Sequence, residues 1–171
     1  EACHRYSETE RHEELSAGFS YRARFDGDKS SREAYIFVIG ETARGDNWQL
    51  GGYDRQTNPL LSSEEGVVFF KKSVSESNTT HKSVPMLISF ASAENFDSIA
   101  HFKSIITAFK EAGFSTAFIS NQRPNRSFTE HFGNEADTTV YVTGADMETH
   151  HFDDAVLEPV DRLLGDTLRR K

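Results

Sequence analysis

Cysteine is almost absent: Cys3 is the only one in 171 residues. A lone thiol forms no internal disulfide and builds no cysteine-based metal cluster, so the fold must be held by packing, and the redox compartment stays undecided. Long apolar runs are missing too. None approaches the roughly 20 residues needed to span a bilayer. The mostly charged opening, EACHRYSETERHEELSAG, is neither a signal peptide nor a membrane anchor, so any targeting segment is expected outside this stretch. Positive charge is in short supply, with 19 Lys and Arg against 27 Asp and Glu and a net charge of -8. That balance argues against a general nucleic-acid binder, which needs a basic face to neutralise phosphates. No internal repeat or low-complexity tract interrupts the chain, and no P-loop or dinucleotide-binding glycine fingerprint occurs. What remains is an acidic, globular domain long enough for one hydrophobic core.

Organisation is expected to begin near residue 34. Residues 1–33 read as a polar lead-in or connector, with a helix across 7–15 and a turn-rich segment around Gly27. Ala34-Tyr35-Ile36-Phe37-Val38-Ile39-Gly40 is a continuous apolar run ending in glycine, the pattern of a strand buried on both faces. A long polar loop follows, then a second candidate strand at 66–70. Apolar residues return at 84–91, where Pro85 suits the first turn of a helix. Residues 98–113 carry Ile99, Phe102, Ile105, Ile106 and Phe109 on one helical face, with Gly113 as the C-terminal cap. Further strands are expected at 114–120 and 138–143, a short helix at 126–132, and an amphipathic helix at 153–169 that Pro159 kinks or interrupts. Alternating strands and helices make this an α/β fold with a mostly parallel sheet.

In open sheets of this kind, ligands collect at the carboxyl ends of the strands. After the first strand stands Glu41, placed either to hold a cation or simply to face solvent at a loop start. Gly40 would allow a sharp backbone turn there. After the second strand, Thr79 and Thr80 sit where a helix begins. Such hydroxyls most often cap the helix, but one activated by a metal could attack phosphorus. His150-His151 could bind metal, although adjacent residues point to different faces. His81, His101 and His131 stand alone, as surface or core histidines do.

Two blocks carry a resemblance. Val38-Ile39-Gly40-Glu41-Thr42-Ala43-Arg44-Gly45-Asp46, continued by Gly52-Tyr53-Asp54-Arg55-Gln56-Thr57-Asn58-Pro59, resembles the opening of the catalytic domain of bacterial phosphoethanolamine transferases. Thr80-His81-Lys82-Ser83-Val84-Pro85-Met86-Leu87-Ile88-Ser89 is similar to that family's threonine block. Phe118-Ile119-Ser120-Asn121-Gln122 falls where the family runs a strand into an active-site loop. The likeness covers most of residues 34–165.

The resemblance implies an alkaline phosphatase-like α/β/α sandwich of the sulfatase superfamily, with Zn2+ at its centre. It makes Glu41 a metal ligand, and Thr80 both a ligand and the nucleophile that becomes phosphoethanolaminated. Thr79 falls one position early, and Arg126 lies near the place of a substrate-contacting lysine. The implied donor is phosphatidylethanolamine and the acceptor a lipid A, a lipopolysaccharide core or another glycan. The implied location is the periplasm, on a domain anchored to the inner membrane of a Gram-negative bacterium.

The family's later Asp-His metal pair has no counterpart here, so residues 34–171 are expected to be the N-terminal portion of the catalytic domain. That portion would be weak in zinc and inactive alone. The cysteines flanking the threonine block in many relatives are also missing. A sulfatase would carry Cys or Ser before x-Pro-x-Arg; Ser83-Val84-Pro85-Met86-Leu87 lacks the arginine. A phosphoglycerol transferase on the same fold and a non-catalytic interaction module compete with phosphoethanolamine transfer at this point.

Overall fold

A computed structural model describes residues 11–28, 30–143 and 152–169, with side chains to 165. Its helices are α1 (His12–Leu15), α2 (Pro59–Ser63), α3 (Thr80–Leu87), α4 (Ile105–Glu111), α5 (Phe128–Gly133) and α6 (Leu157–Arg169). Two strands, β1 (Ala117–Ser120) and β2 (Thr138–Tyr141), pair in parallel with Ala117 beside Thr138 and Ser120 beside Tyr141. A parallel pair needs a crossover, and α5 supplies it. Among the described residues no helix is long and apolar enough to cross a membrane.

The core lies between α3, α5 and the 3-10 turn Phe96–His101. Met86, Ile88, Ala91, Ile99, Ala100, Phe128 and Phe132 are buried there, with Leu15, Val84, Phe96 and Phe102 packed against them. Phe132 is fully buried. Gly133 ends α5 against the Phe118 ring of β1, where an added Cβ would stand 2.6 Å from ring carbons. The same packing that buries Phe132 thus sets α5 tightly on the strand that leads to the site.

The described part of the lead-in belongs to this body. His12 is buried and its ring nitrogen lies 2.8 Å from the Phe102 carbonyl oxygen. Tyr21 donates its hydroxyl to the Lys103 carbonyl at 2.6 Å, and the N–H groups of Tyr21 and Ala23 donate to the Glu111 carboxylate at the end of α4. Residues 1–10, His150 and His151 lie outside the described residues.

Several sequence expectations change. The run at 34–40 forms no strand, and Tyr35, Ile36, Phe37 and Val38 are exposed, Val38 at 83 %. Tyr35 meets the Phe109 and Phe114 rings, but the rest of the run lacks the burial its pattern encodes. Residues 66–70 form no strand either; Phe69 stacks on Trp48, while Val68 and Phe70 are exposed. The single helix expected at 98–113 is two pieces. Ser104 separates them because its hydroxyl oxygen accepts the Ile106 N–H at 3.3 Å and caps α4. The same hydroxyl donates to Glu135 at 2.6 Å, tying the break to the end of α5. Gly113 closes α4 with a φ of 92°, as its position foretold. The helix expected at 84–91 starts earlier, at Thr80, and contains Pro85. The proline forfeits one backbone bond, and its buried ring supplies apolar packing in return. In the last segment the break comes before Leu157, after a 3-10 turn at Asp153–Val156. Pro159 then falls in the first turn of α6, where its missing N–H costs little.

Candidate active site

Thr80 opens α3, whose Pro85 and Met86 are held in the core. Thr79 occupies the N-cap position with extended backbone (φ -129°, ψ 134°), and no side chain caps the helix. The Thr80 hydroxyl does something other than capping. It donates to Glu41 Oε1 at 2.7 Å, joining residues 39 positions apart. The second oxygen, Glu41 Oε2, accepts from the side-chain amide of Gln122, two residues beyond β1. One carboxylate therefore gathers the polar loop, the helix start and the loop after the strand.

The backbone turns beside Glu41, but not at Gly40. Thr42 has a φ of 58°, in the left-handed region. A β-branched residue there carries strain of about 1–3 kcal/mol, a cost commonly found at functional sites. Gly40 has no positive φ, and a Cβ added to it would meet nothing within 4 Å.

A cleft of about 400 Å³ opens beside Thr80. It lies at the carboxyl ends of both strands, where Ser120 and Tyr141 are the last strand residues, as expected for an open parallel sheet. Thr79, His81, Arg123 and Glu130 also line it. His81 is exposed on its edge, whereas His101 is exposed elsewhere and His131 sits near the His12 ring, 5.9 Å between centroids. Arg126 is exposed, with a φ of 56°, and its N–H donates to the Glu130 carboxylate. Arg123, three residues earlier in that loop, is the arginine that lines the cleft. Tyr141 has its phenol pKa raised by burial and by the nearby Glu130 charge.

Reasoning from sequence assigned no role to Gln122, Arg123, Glu130 or Tyr141. The rule that sites gather at strand ends carries the signal for two of them, since Gln122 follows β1 and Tyr141 ends β2. Glu130 enters only through the way α5 packs.

Two oxygen donors, Glu41 and Thr80, converge closely enough to fill two corners of a zinc shell, which takes N, O or S ligands in a tetrahedron. Among the described residues no group of three or more His, Cys, Asp or Glu side chains converges. The fit is therefore to half a shell.

The Sulfatase family model matches residues 33–171. The chain is 27% identical over 137 residues to the phosphoethanolamine transferase EptA of Salmonella typhimurium strain LT2, covering 77% of this chain and 25% of that one. It is 40% identical over 62 residues to the phosphatidylethanolamine transferase Mcr-1 of Escherichia coli, covering 36% of this chain and 12% of that one. Among solved structures it is similar to the C-terminal periplasmic domain of EcEptC from Escherichia coli in complex with Zn. That likeness has a TM-score of 0.71 and 25% identity, covering 82% of this chain and 42% of that one. The fold is thus an incomplete portion of the alkaline phosphatase-like α/β/α architecture. The chain spans about a quarter of the length of the curated relatives it matches most extensively.

Proposed function

We propose that this chain, which belongs to the sulfatase family, carries the nucleophile of an enzyme that moves phosphoethanolamine from phosphatidylethanolamine to a lipopolysaccharide or other glycan acceptor. The observation that carries this reading is the 2.7 Å hydrogen bond from Thr80 to Glu41 at the mouth of a cleft. The named transferases among its relatives support the reaction class. The periplasmic neighbour supports a periplasmic site of action, and a domain held at the inner membrane is what the family resemblance implies.

Thr80 Oγ1 attacks the donor phosphorus, and its proton leaves along the hydrogen bond to Glu41 Oε1. The new O–P bond forms as the bond from phosphorus to the diacylglycerol oxygen breaks, and that oxygen takes up the proton from Glu41. In the second half, an acceptor hydroxyl attacks the same phosphorus as its proton passes to Glu41, the Thr80–phosphorus bond breaks and the Thr80 oxygen takes that proton. Gln122 holds the other Glu41 oxygen, so the carboxylate keeps one orientation throughout. Arg123 in the cleft wall, and Arg126 farther along the loop, supply positive charge for phosphate oxygens. A zinc ion would be held by Glu41 and Thr80, with its remaining ligands from elsewhere in the full-length protein. When bound, it supplies charge that lowers the pKa of a neighbouring hydroxyl and offsets phosphate charge.

The test is peptide and intact-mass spectrometry on the full-length protein, together with its zinc content. The expected result is a phosphoethanolamine adduct on Thr80 that Thr80→Ala abolishes. Zinc without any Thr80 adduct would keep the fold and overturn the transfer mechanism in favour of hydrolysis.

A further inference from the structure

The cleft beside Thr80 holds features that a phosphoryl-transfer step alone does not use. Phe118 and Tyr141 both line it, their rings meeting edge to face with centroids 6.2 Å apart and an interplanar angle of 66°. Glu130 and Thr129, adjacent on α5, line it as well. The Tyr141 hydroxyl and the Thr129 Oγ1 are buried and have no hydrogen-bond partner. Buried polar atoms are nearly always satisfied, so two orphans beside one cleft suit a ligand that brings its own donors. The nearby Glu130 carboxylate already influences the Tyr141 phenol.

This combination matches one chemical group. A primary ammonium is drawn to a carboxylate and to aromatic faces, and its three N–H bonds need oxygen acceptors. Hydroxyl oxygens of Tyr141 and Thr129 can accept, as can Glu130. A neutral polyol can donate to the carboxylate but brings no positive charge for it or for the aromatic rings. A trimethylated ammonium would lack the N–H groups that the two hydroxyls could receive.

We propose that Glu130, Tyr141 and Thr129, with the Phe118 ring, form a subsite for the primary ammonium of the donor headgroup. It selects ethanolamine over neutral and N-methylated headgroups. The subsite rests on the reading of Thr80 as a phosphoryl-accepting nucleophile, because it places the ammonium end of the same headgroup whose phosphorus Thr80 attacks. Opposite charges are divided within one cleft: Arg123 serves the phosphate and Glu130 the amine.

The experiment uses the full-length zinc-loaded protein in vesicles. Thr80 adduct formation is followed by peptide mass spectrometry across concentrations of phosphatidylethanolamine, phosphatidylglycerol and phosphatidylcholine with matched acyl chains. The wild type should prefer phosphatidylethanolamine. Glu130→Gln should raise the half-saturating phosphatidylethanolamine concentration about tenfold and erase most of the preference over phosphatidylglycerol, the scale of one lost charge-assisted contact. Tyr141→Phe keeps the ring against Phe118 and tests the hydroxyl alone. It should narrow the preference over phosphatidylcholine while leaving the melting temperature near that of wild type. Thr80 adducts formed equally from all three lipids, or preferences unchanged in both variants, would overturn the subsite and leave the nucleophile standing. No adduct from any lipid would overturn the nucleophile reading and the subsite with it.

Discussion

Thr80 illustrates how little a residue's type says until its partner is known. A threonine at a helix start is most often a cap, yet this hydroxyl bonds a carboxylate 39 residues away and the helix goes uncapped by any side chain. Glu41 was legible as a candidate from its place after an apolar run and from the family resemblance. That its two oxygens would be divided between Thr80 and Gln122 was not, because the pairing depends on three separate loops. Beside it, Thr42 holds a left-handed backbone that its branched side chain disfavours. Thr42→Gly should therefore raise stability by about 1 kcal/mol in denaturant unfolding, since glycine adopts this φ without strain. The same change should lower the yield of Thr80 adduct, because it loosens the turn that aims Glu41. Equal adduct yield would show that the strain serves no positioning purpose.

At the scale of elements, α5 does the most to join core and site. Its Phe128 and Phe132 are buried, its end packs on Phe118, and Glu130 faces the cleft. Gly133→Ala should cost about 1–3 kcal/mol through overpacking against Phe118, read as a lower melting temperature. The gain in helix propensity from alanine offsets only part of that cost. The short helix α1 adds a pH dependence. His12 is buried, and desolvation lowers its pKa below 6.5, outweighing the opposing Phe102 carbonyl and Glu135; His131 and Lys103 push the same way as burial. The unfolded chain then binds more protons than the folded one between the lowered value and 6.5. This contribution to stability is full above pH 6.5 and is lost as the pH falls toward the folded pKa. Melting temperatures from pH 7.5 to 5 should fall, and His12→Gln should flatten the part of that slope due to this histidine. Ser104 shows why the helix expected at 98–113 is split. The apolar spacing runs on in phase, but a serine that can cap α4 and reach Glu135 gains more by stopping the turn and starting another.

For the molecule as a whole, the exposed run at 35–38 and the meeting of only two candidate ligands, Glu41 and Thr80, among the described residues stand out together. The residues read as a strand buried on both faces, yet they lie open. The two oxygens of the site likewise converge without further ligands among the described residues. Calorimetry should accordingly find that the 171-residue chain binds zinc at least about tenfold more weakly than the full-length protein, because the two candidate ligands that meet among the described residues fall short of a tetrahedral shell. Zinc binding of equal strength would mean that the remaining ligands lie within this chain. Sequence alone determined what local chemistry and pattern can carry: the α/β class, the positions of β1, β2 and α5, and the glycine stop after α4; Glu41 and Thr80 it offered as candidates, on the strength of the family resemblance. Tertiary structure decided which apolar runs found a partner, where capping beat helical continuity, and which side chains share the cleft. The reason is physical. Periodicity and capping act within a few residues of one another, whereas strand pairing, burial and the meeting of Glu41, Thr80 and Gln122 depend on segments that only the folded chain brings together.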